Sequence, residues 1–358
     1  MKLKQYKKIL LIGLIVSGAS LLMLGIFFLI LHGIGAGLPD QNAAGRFERG
    51  ELPYTQVSYF FTEDNGLSAD RMRYTDADIE SKLTADSYGA EENARLFLTA
   101  YGNEREFYYE GQKGNASRVR TFCVGGDFFY FHPIQMTSGW YFTGDELMET
   151  GVVLDENLAW QLFGALDVSG MSVKVGEINC TVLGVTKGPQ GKQEKKEYGE
   201  KPTAYIPFAL AQRLSAEEIP VTRYEVLLPN PVTDYGVNKV KEILSLSEEE
   251  IYSNVENTGR YDALRVIKQL KNVDSRIVRT DSIVYPYWEN AARLADNRAH
   301  YIGIGLIVFV IPPTLYLLLW IVLLFNRKEI MAKKAAHYVS AVFSTIKNKI
   351  RQKKEKKA

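Results

Sequence analysis

Residues Gly151–Gly164, G-V-V-L-D-E-N-L-A-W-Q-L-F-G, contain a complete strand-to-helix transition. Gly151–Leu154 reads as a short buried strand, with three consecutive apolar side chains. Asp155 is placed to cap a helix, and Leu158, Ala159, Leu162 and Phe163 then fall on one helical face until Gly164 stops it. A strand that turns at once into an amphipathic helix predicts an α+β domain, a mixed sheet with helices packed on it.

The flanking sequence extends this pattern. Gln56–Phe61 (Q-V-S-Y-F-F) has the β-branched and aromatic content of a strand. Ser68 is expected to cap a helix through Met72, Ile79 and Leu83. Phe107–Glu110 and Arg118–Val124 read as strands separated by the turn-rich Gly111–Ser117. Val173, Val175, Ile178, Thr181, Val182 and Val185 form a hairpin pattern around Gly176-Glu177. Lys187–Pro202 is charged, Gly-containing and aperiodic, which predicts a mobile loop. Strands at Thr203–Ile206 and Tyr224–Leu228 follow, then a helix carrying Val237, Val240 and Leu244.

Two apolar runs bracket this region, Ile9–His32 and Tyr301–Phe325, and neither contains Asp, Glu, Lys or Arg. About 24 residues of helix at ~1.5 Å rise cover roughly 36 Å, more than the ~30 Å hydrocarbon core of a bilayer, so both are expected to span. Lys2, Lys4, Lys7 and Lys8 precede the first run. After the second come Arg327, Lys328, Lys333, Lys334, Lys347, Lys349, Arg351, Lys353, Lys354, Lys356 and Lys357, against Glu329 and Glu355 only. The positive-inside rule predicts a plasma-membrane protein with both termini cytoplasmic. Removing these ends from totals of 43 basic and 42 acidic residues leaves 28 and 40 between the spans, a net charge of −12. A cleaved signal peptide is the competing reading of the first run, but its apolar stretch exceeds the ~7–15 residues of an h-region.

The predicted organisation is a cytoplasmic N-terminus (1–8), a membrane helix (9–32), an extracytoplasmic domain (33–300), a second membrane helix (301–325) and a basic cytoplasmic tail (326–358). From Trp288 to His300 there is no Pro or Gly, and helix formers dominate, with Pro286 suited to a helix start. This predicts a stalk at 288–300, with Trp288, Ala291, Ala292, Leu294 and Ala295 as coupling residues. Gly13 and Ser17, and Gly303 and Gly305, are candidates for close approach of the membrane helices. Pro312-Pro313 is expected to kink the second span. In the tail, Ala335, Val339, Val342, Phe343, Ile346 and Ile350 recur at helical spacing. Lys333, Lys334, Lys347, Lys349 and Arg351 surround them, which predicts contact with the lipids of the anionic inner leaflet rather than with nucleic acid or an ATPase.

Sequence signals for catalysis are missing. Four scattered histidines (His32, His132, His300, His337) match no H-E-x-x-H or Cys/His cluster, and no G-x-S-x-G occurs. Asp76, Asp78 and Glu80 alternate like calcium ligands, but the required Gly is missing and a solvated acidic face is the better account. Gly125-Gly126-Asp127 leads into Phe128–Phe131 rather than a phosphate-binding helix, so Asp127 is expected to cap a turn. Tyr59-Phe60-Phe61 and Phe128–Phe131 read as core rather than as carbohydrate contacts. Cys123 and Cys180 are expected as two small buried side chains, with one disulfide the alternative. No enzyme, cofactor or metal is expected.

Several segments in order carry a family resemblance. They are Val124–Phe129, Ser138–Phe142, Val152–Gly164, Gly170–Val175, Thr181–Val185 and Ala204–Phe208. They resemble the extracytoplasmic core domain of MacB/FtsX-type ABC transporter permeases, over about a quarter of the chain. The resemblance implies a non-enzymatic permease-like subunit, whose outer domain binds a partner or cargo and whose stalk transmits motion. It also implies a separate ABC ATPase and other permease subunits as partners, since the chain carries no G-x-x-x-x-G-K-[ST] P-loop. One span follows the outer domain where the family resembles three-span arrangements. A stand-alone membrane-anchored sensor or adhesion module is the alternative from another class.

Overall fold

The computed structural model describes residues 2–47, 52–88, 95–143, 150–189, 191–246, 252–272 and 283–355. The helices among them are α1 (Lys2–Ala36), α2 (Ala43–Arg46), α3 (Ala69–Ala85), α4 (Phe128–Phe131), α5 (Glu156–Phe163), α6 (Lys192–Tyr198), α7 (Phe208–Leu214), α8 (Tyr235–Leu244), α9 (Ala263–Gln269) and α10 (Tyr287–Glu355). The strands are β1 (Tyr54–Phe61), β2 (Leu98–Glu110), β3 (Asn115–Gly126), β4 (Met136–Gly139), β5 (Gly151–Asp155), β6 (Ser172–Val175), β7 (Ile178–Thr186), β8 (Thr203–Pro207), β9 (Arg223–Pro229) and β10 (Tyr252–Glu256). By internal packing the chain divides into Ile30–Tyr301 and a second unit of Met1–Leu29 with Ile302–Ala358.

The first unit is built on one mixed ten-stranded sheet, ordered β10-β1-β9-β2-β3-β8-β5-β7-β4. β3–β8 and β5–β7 are parallel and the other pairs antiparallel. β6 pairs with both β7 and β2, so the pairings run from β2 through β3, β8, β5, β7 and β6 back to β2. Side-chain alternation sorts residues onto two apolar faces. Cys123, Val152, Leu154, Ala204, Ile206, Val226 and Leu228 join one core with α3, α5 and α8. Phe122, Val124, Val153, Tyr205 and Leu227 join the other, which includes Trp288. Burial on both faces explains the continuous apolar runs at Val152–Leu154 and Val226–Leu228.

The strand-to-helix transition forms as expected. Leu158 N–H donates to Asp155 Oδ1 at 2.7 Å, Gly164 ends α5 in the left-handed region, and Leu158, Ala159, Leu162 and Phe163 are buried. The second Asp155 oxygen accepts from Thr203 N–H at 2.9 Å, tying α5 to β8. Burial raises the Asp155 carboxyl to about 6, against the pull of these two backbone bonds. Ser68 caps α3 by accepting from Arg71 N–H. Cys123 and Cys180 are both free and buried.

Three expectations change. Lys192–Tyr198 is a helix with Glu194 and Tyr198 buried, not a mobile loop, because its sparse inward side chains find distant partners. Asp127 makes no side-chain cap; it accepts from Arg95 Nη1 and Nη2 at 2.6 and 2.8 Å. Asp76 is only partly solvated, since Thr99 Oγ1 donates to it at 2.8 Å, whereas Asp78 and Glu80 are exposed.

In the second unit α1 and α10 pack antiparallel. A Cβ on Gly13 would lie 2.7 Å from Tyr316 Cδ2 and one on Gly305 would lie 2.6 Å from Phe27 Cε2. Ser17 Oγ donates to Pro312 O at 3.4 Å, and the Phe27 and Phe309 rings meet edge-on at 5.7 Å. Gly303 is buried. Gly13 and Gly305 thus receive large side chains rather than each other. Pro312 and Pro313 lie inside the continuous helix. Two stretches, Lys7–Ala36 and Tyr287–Phe325, are long and apolar enough to cross a membrane. The backbone at Lys333, Lys334, Lys347, Lys349 and Arg351 is helical, and their side chains lie outside the described residues.

Candidate functional site

The root of α10 is sunk into the outer domain. Trp288, Ala291, Ala292, Ala295 and Ala299 are buried, at most 4% exposed, while Leu294 is 39% exposed. Four of the five stalk residues picked from sequence therefore face the domain, and Leu294 faces away. The alanines of this face are covered by the domain, and Trp288 fills the space between Phe122, Phe128 and His132.

A buried guanidinium fixes this root. Arg260 Nη1 donates to Glu289 Oε2 at 2.9 Å and to Gln41 Oε1 at 3.0 Å. Arg260 Nη2 donates to Glu289 Oε1 at 3.2 Å and to Asp296 Oδ2 at 2.6 Å, and Nε to Asp296 Oδ1 at 3.0 Å. Burial disfavours its charge, but Glu289 and Asp296 outweigh this and hold its pKa well above the ordinary arginine value. Arg293 Nε donates to Glu289 Oε1 at 2.8 Å, so the cluster holds two cations and two carboxylates. The adjacent Tyr261 hydroxyl donates to Ala292 O at 3.0 Å.

A second buried cluster sits beside it. Both His132 ring nitrogens face carboxylates, Nδ1 with Asp40 Oδ1 at 3.2 Å and Nε2 with Glu225 Oε2 at 2.5 Å. Burial opposes a charge on the imidazole; Glu225 and Asp40 overcome it and lift the pKa to about 9. An imidazolium donating from both nitrogens fits this geometry. Ser58 Oγ donates to Glu225 Oε1 at 2.5 Å, and Asn257 Nδ2 donates to Ser58 Oγ at 2.8 Å. Gln56 binds the segment after α1 like a strand backbone: its Nε2 donates to Asp40 O and its Oε1 accepts from Ala43 N–H, each at 2.8 Å.

Helix α6 closes the junction. Arg298 Nη2 donates to Gln193 Oε1 at 3.0 Å, and the Tyr198 and Tyr287 rings meet edge-on at 5.1 Å. A Cβ on Gly191 would lie 2.8 Å from Gly37 O, so only glycine permits this approach to the end of α1. Glu194 is 1% exposed, and burial followed by the neighbouring Asp40 raises its carboxyl far above the usual range.

The arrangement resembles a catalytic array only in residue type. His132 is 0% and Ser58 1% exposed, so the array orders the junction and presents no face to a substrate. Among the described residues, no group of three or more His, Cys, Asp or Glu is arranged to hold a metal ion. Its members come from residues 40–41, 56–58, 132, 225, 257–260 and 289–296, so no spacing in the sequence announces them. One local clue exists: Glu225 alternates with Tyr224, Val226 and Leu228 on the strand, sharing the opposite face with buried Leu227.

The MacB-like periplasmic core domain matches residues 11–238. The periplasmic region of MacB from Actinobacillus actinomycetemcomitans is similar at 14% identity, covering 58% of this chain and 92% of that one, with a TM-score of 0.40. The extracellular domain of the noncanonic ABC-type transporter YknZ from Gram-positive bacteria is similar at 14% identity, covering 56% and 99%, with a TM-score of 0.37. Comparison with curated proteins finds no match.

Proposed function

The chain belongs to the family of the MacB-like periplasmic core domain, found in proteins of the ABC transporter permease type, and from that premise we propose that it is a non-enzymatic permease-like subunit that relays motion. It is a membrane protein with an extracytoplasmic domain. In this reading both termini are cytoplasmic, and the outer domain binds a partner or cargo. The stalk helix carries the resulting displacement to a separate ABC ATPase and other permease subunits. The basic tail, including Lys333, Lys334, Lys347, Lys349 and Arg351, rests on the anionic inner leaflet.

The observation that supports the relay is the Arg260 clamp on Glu289 and Asp296. A helix that served only as an anchor needs no buried ion cluster in its extracytoplasmic root. Desolvating three charges is costly, and it is compensated only while the geometry is held. A root held this way moves with the domain, and one helix, Tyr287–Glu355, continues from it.

The test is insertion of two glycines after Tyr301, beyond the last buried root residue, Ala299. Each glycine costs about 1 kcal/mol in a helix and offers a hinge. The full chain is purified from native membranes in mild detergent, its co-purifying ATPase is reconstituted, and turnover is compared. Intact assembly with reduced turnover is expected. Intact assembly with unchanged turnover overturns the relay, and recovery as a lone homo-oligomer overturns the permease-subunit reading in favour of the anchored sensor.

A further inference from the structure

Helix α6 lies beside the outer ends of both apolar runs. Arg298 Nη2, on the turn before Tyr301, donates to Gln193 Oε1 at 3.0 Å. A Cβ on Gly191 would lie 2.8 Å from Gly37 O, the residue that follows the last turn of α1. At ~1.5 Å rise per residue, Arg298 stands about 4.5 Å beyond Tyr301, and Ala36 about 6 Å beyond His32. A bilayer of about 40–45 Å with a hydrocarbon core of ~30 Å leaves roughly 5–7 Å for headgroups on each side. With Ile9–His32 and Tyr301–Phe325 as the spans, α6 is at headgroup depth on the extracytoplasmic side.

This helix is two-sided. Glu194 and Tyr198, spaced i, i+4, are buried against the domain. Lys192, Lys195 and Lys196 are exposed, and their i, i+3, i+4 spacing puts them on one face, turned away from Glu194. Glu197 lies on the flank of that stripe, on the side of Gln193. Elsewhere in the domain Lys82, Lys174, Lys201 and Lys239 each pair with a carboxylate. Among the described residues the three lysines of α6 have no such partner. The segment between the spans carries a net charge of −12, so these cations stand unpaired in a chain rich in acids. A solvated face accounts for exposed lysines anywhere on a surface. It does not account for three of them in register at the depth of lipid phosphates.

We propose that the Lys192, Lys195 and Lys196 face of α6 binds the headgroups of anionic phospholipids in the extracytoplasmic leaflet. The inference rests on both apolar runs being membrane spans and is independent of the relay. Each ammonium donates charge-assisted hydrogen bonds to phosphate oxygens, and its aliphatic stem lies along the apolar boundary below. Because Gln193 ties α6 to Arg298, lipids held by the lysines fix the height of the outer domain over the membrane.

The experiment uses the full chain in vesicles of phosphatidylcholine and phosphatidylglycerol, with a fluorophore on Asn297→Cys, an exposed position beside Arg298. Cys123 and Cys180 are buried and stay unlabelled. Quenching by phosphatidylglycerol with a nitroxide at the top of its acyl chain is compared with quenching by phosphatidylcholine carrying the same nitroxide. One basic residue at an anionic surface changes partitioning by roughly fivefold, so a preference for phosphatidylglycerol of about fivefold or more is expected. It should vanish when Lys192, Lys195 and Lys196 are all replaced by Gln, shrink in each single Lys→Gln variant, and fall in high salt. Equal quenching by the two lipids overturns the proposal, as does a preference that the triple and single variants all retain. Flotation of the same samples reads the spans separately. A chain that does not float with the vesicles overturns the membrane-spanning premise, and one that floats without the preference overturns the lysine face alone.

Discussion

Arg260 holds Glu289 and Asp296 at once, two carboxylates spaced two turns apart on the same face of the stalk helix. Replacing it by methionine keeps most of its volume and strands both carboxylates without their fork of donors. Breaking a buried pair in this way costs about 3–5 kcal/mol. The Arg260→Met chain is expected to lose that much stability, read from the rate at which buried Cys123 and Cys180 become open to thiol reagents. Arg260→Lys should recover little, since a single ammonium cannot bridge the two groups. A loss below about 1 kcal/mol would remove the clamp from the account of the root.

Phe163 is 4% exposed on the inner face of α5. Phe163→Ala should cost about 3–5 kcal/mol, as for other large-to-small changes in a core. The same thiol-exposure assay reads it. A cost under about 1 kcal/mol contradicts the packing described for α5.

The buried histidine sets a pH dependence. Its folded pKa, about 9, lies above the free value of 6.5, so the folded state binds the proton more tightly. The resulting stabilisation is complete below pH 6.5 and is lost as pH rises through about 9. Glu194 works in the same direction: its raised pKa gives stability that is full below 4.5 and declines with rising pH. Thermal unfolding of the chain should therefore weaken steadily on the alkaline side. His132→Gln should lower stability near neutrality yet flatten the slope, and an unchanged slope would exclude His132 as its source.

Membrane orientation is open to direct labelling. Lys196 is exposed on α6, so Lys196→Cys should react with an impermeant maleimide in intact cells. Lys354→Cys should react only after permeabilisation. The opposite pattern reverses the positive-inside assignment.

Local elements were legible because their signals are local. Asp155, the apolar face of Leu158–Phe163 and Gly164 lie within one helix, so the strand, cap and stop of Gly151–Gly164 could be read directly. The charge-rich α6 hid its fold because only Glu194 and Tyr198 turn inward, toward Asp40 and Tyr287, which are distant in sequence. The junction was illegible for the same reason. His132 looked like one of four scattered histidines, and only the pairing of β1 with β9 brings Ser58 beside Glu225 and completes its surroundings. Trp288 and the alanines of the stalk were recognisable as helix formers, but their role as a buried face depends on the domain that covers them.

Gln41, Arg260 and Glu289 give the two polypeptide ends of the outer domain a common knot. Gln41 stands 219 positions from Arg260, which stands 29 from Glu289, yet two hydrogen bonds join all three. A tensile load arriving along the first segment therefore reaches the second across three side chains, without crossing the strands between them. Arg260 is thus a mechanical short circuit between two segments that stand far apart along the chain.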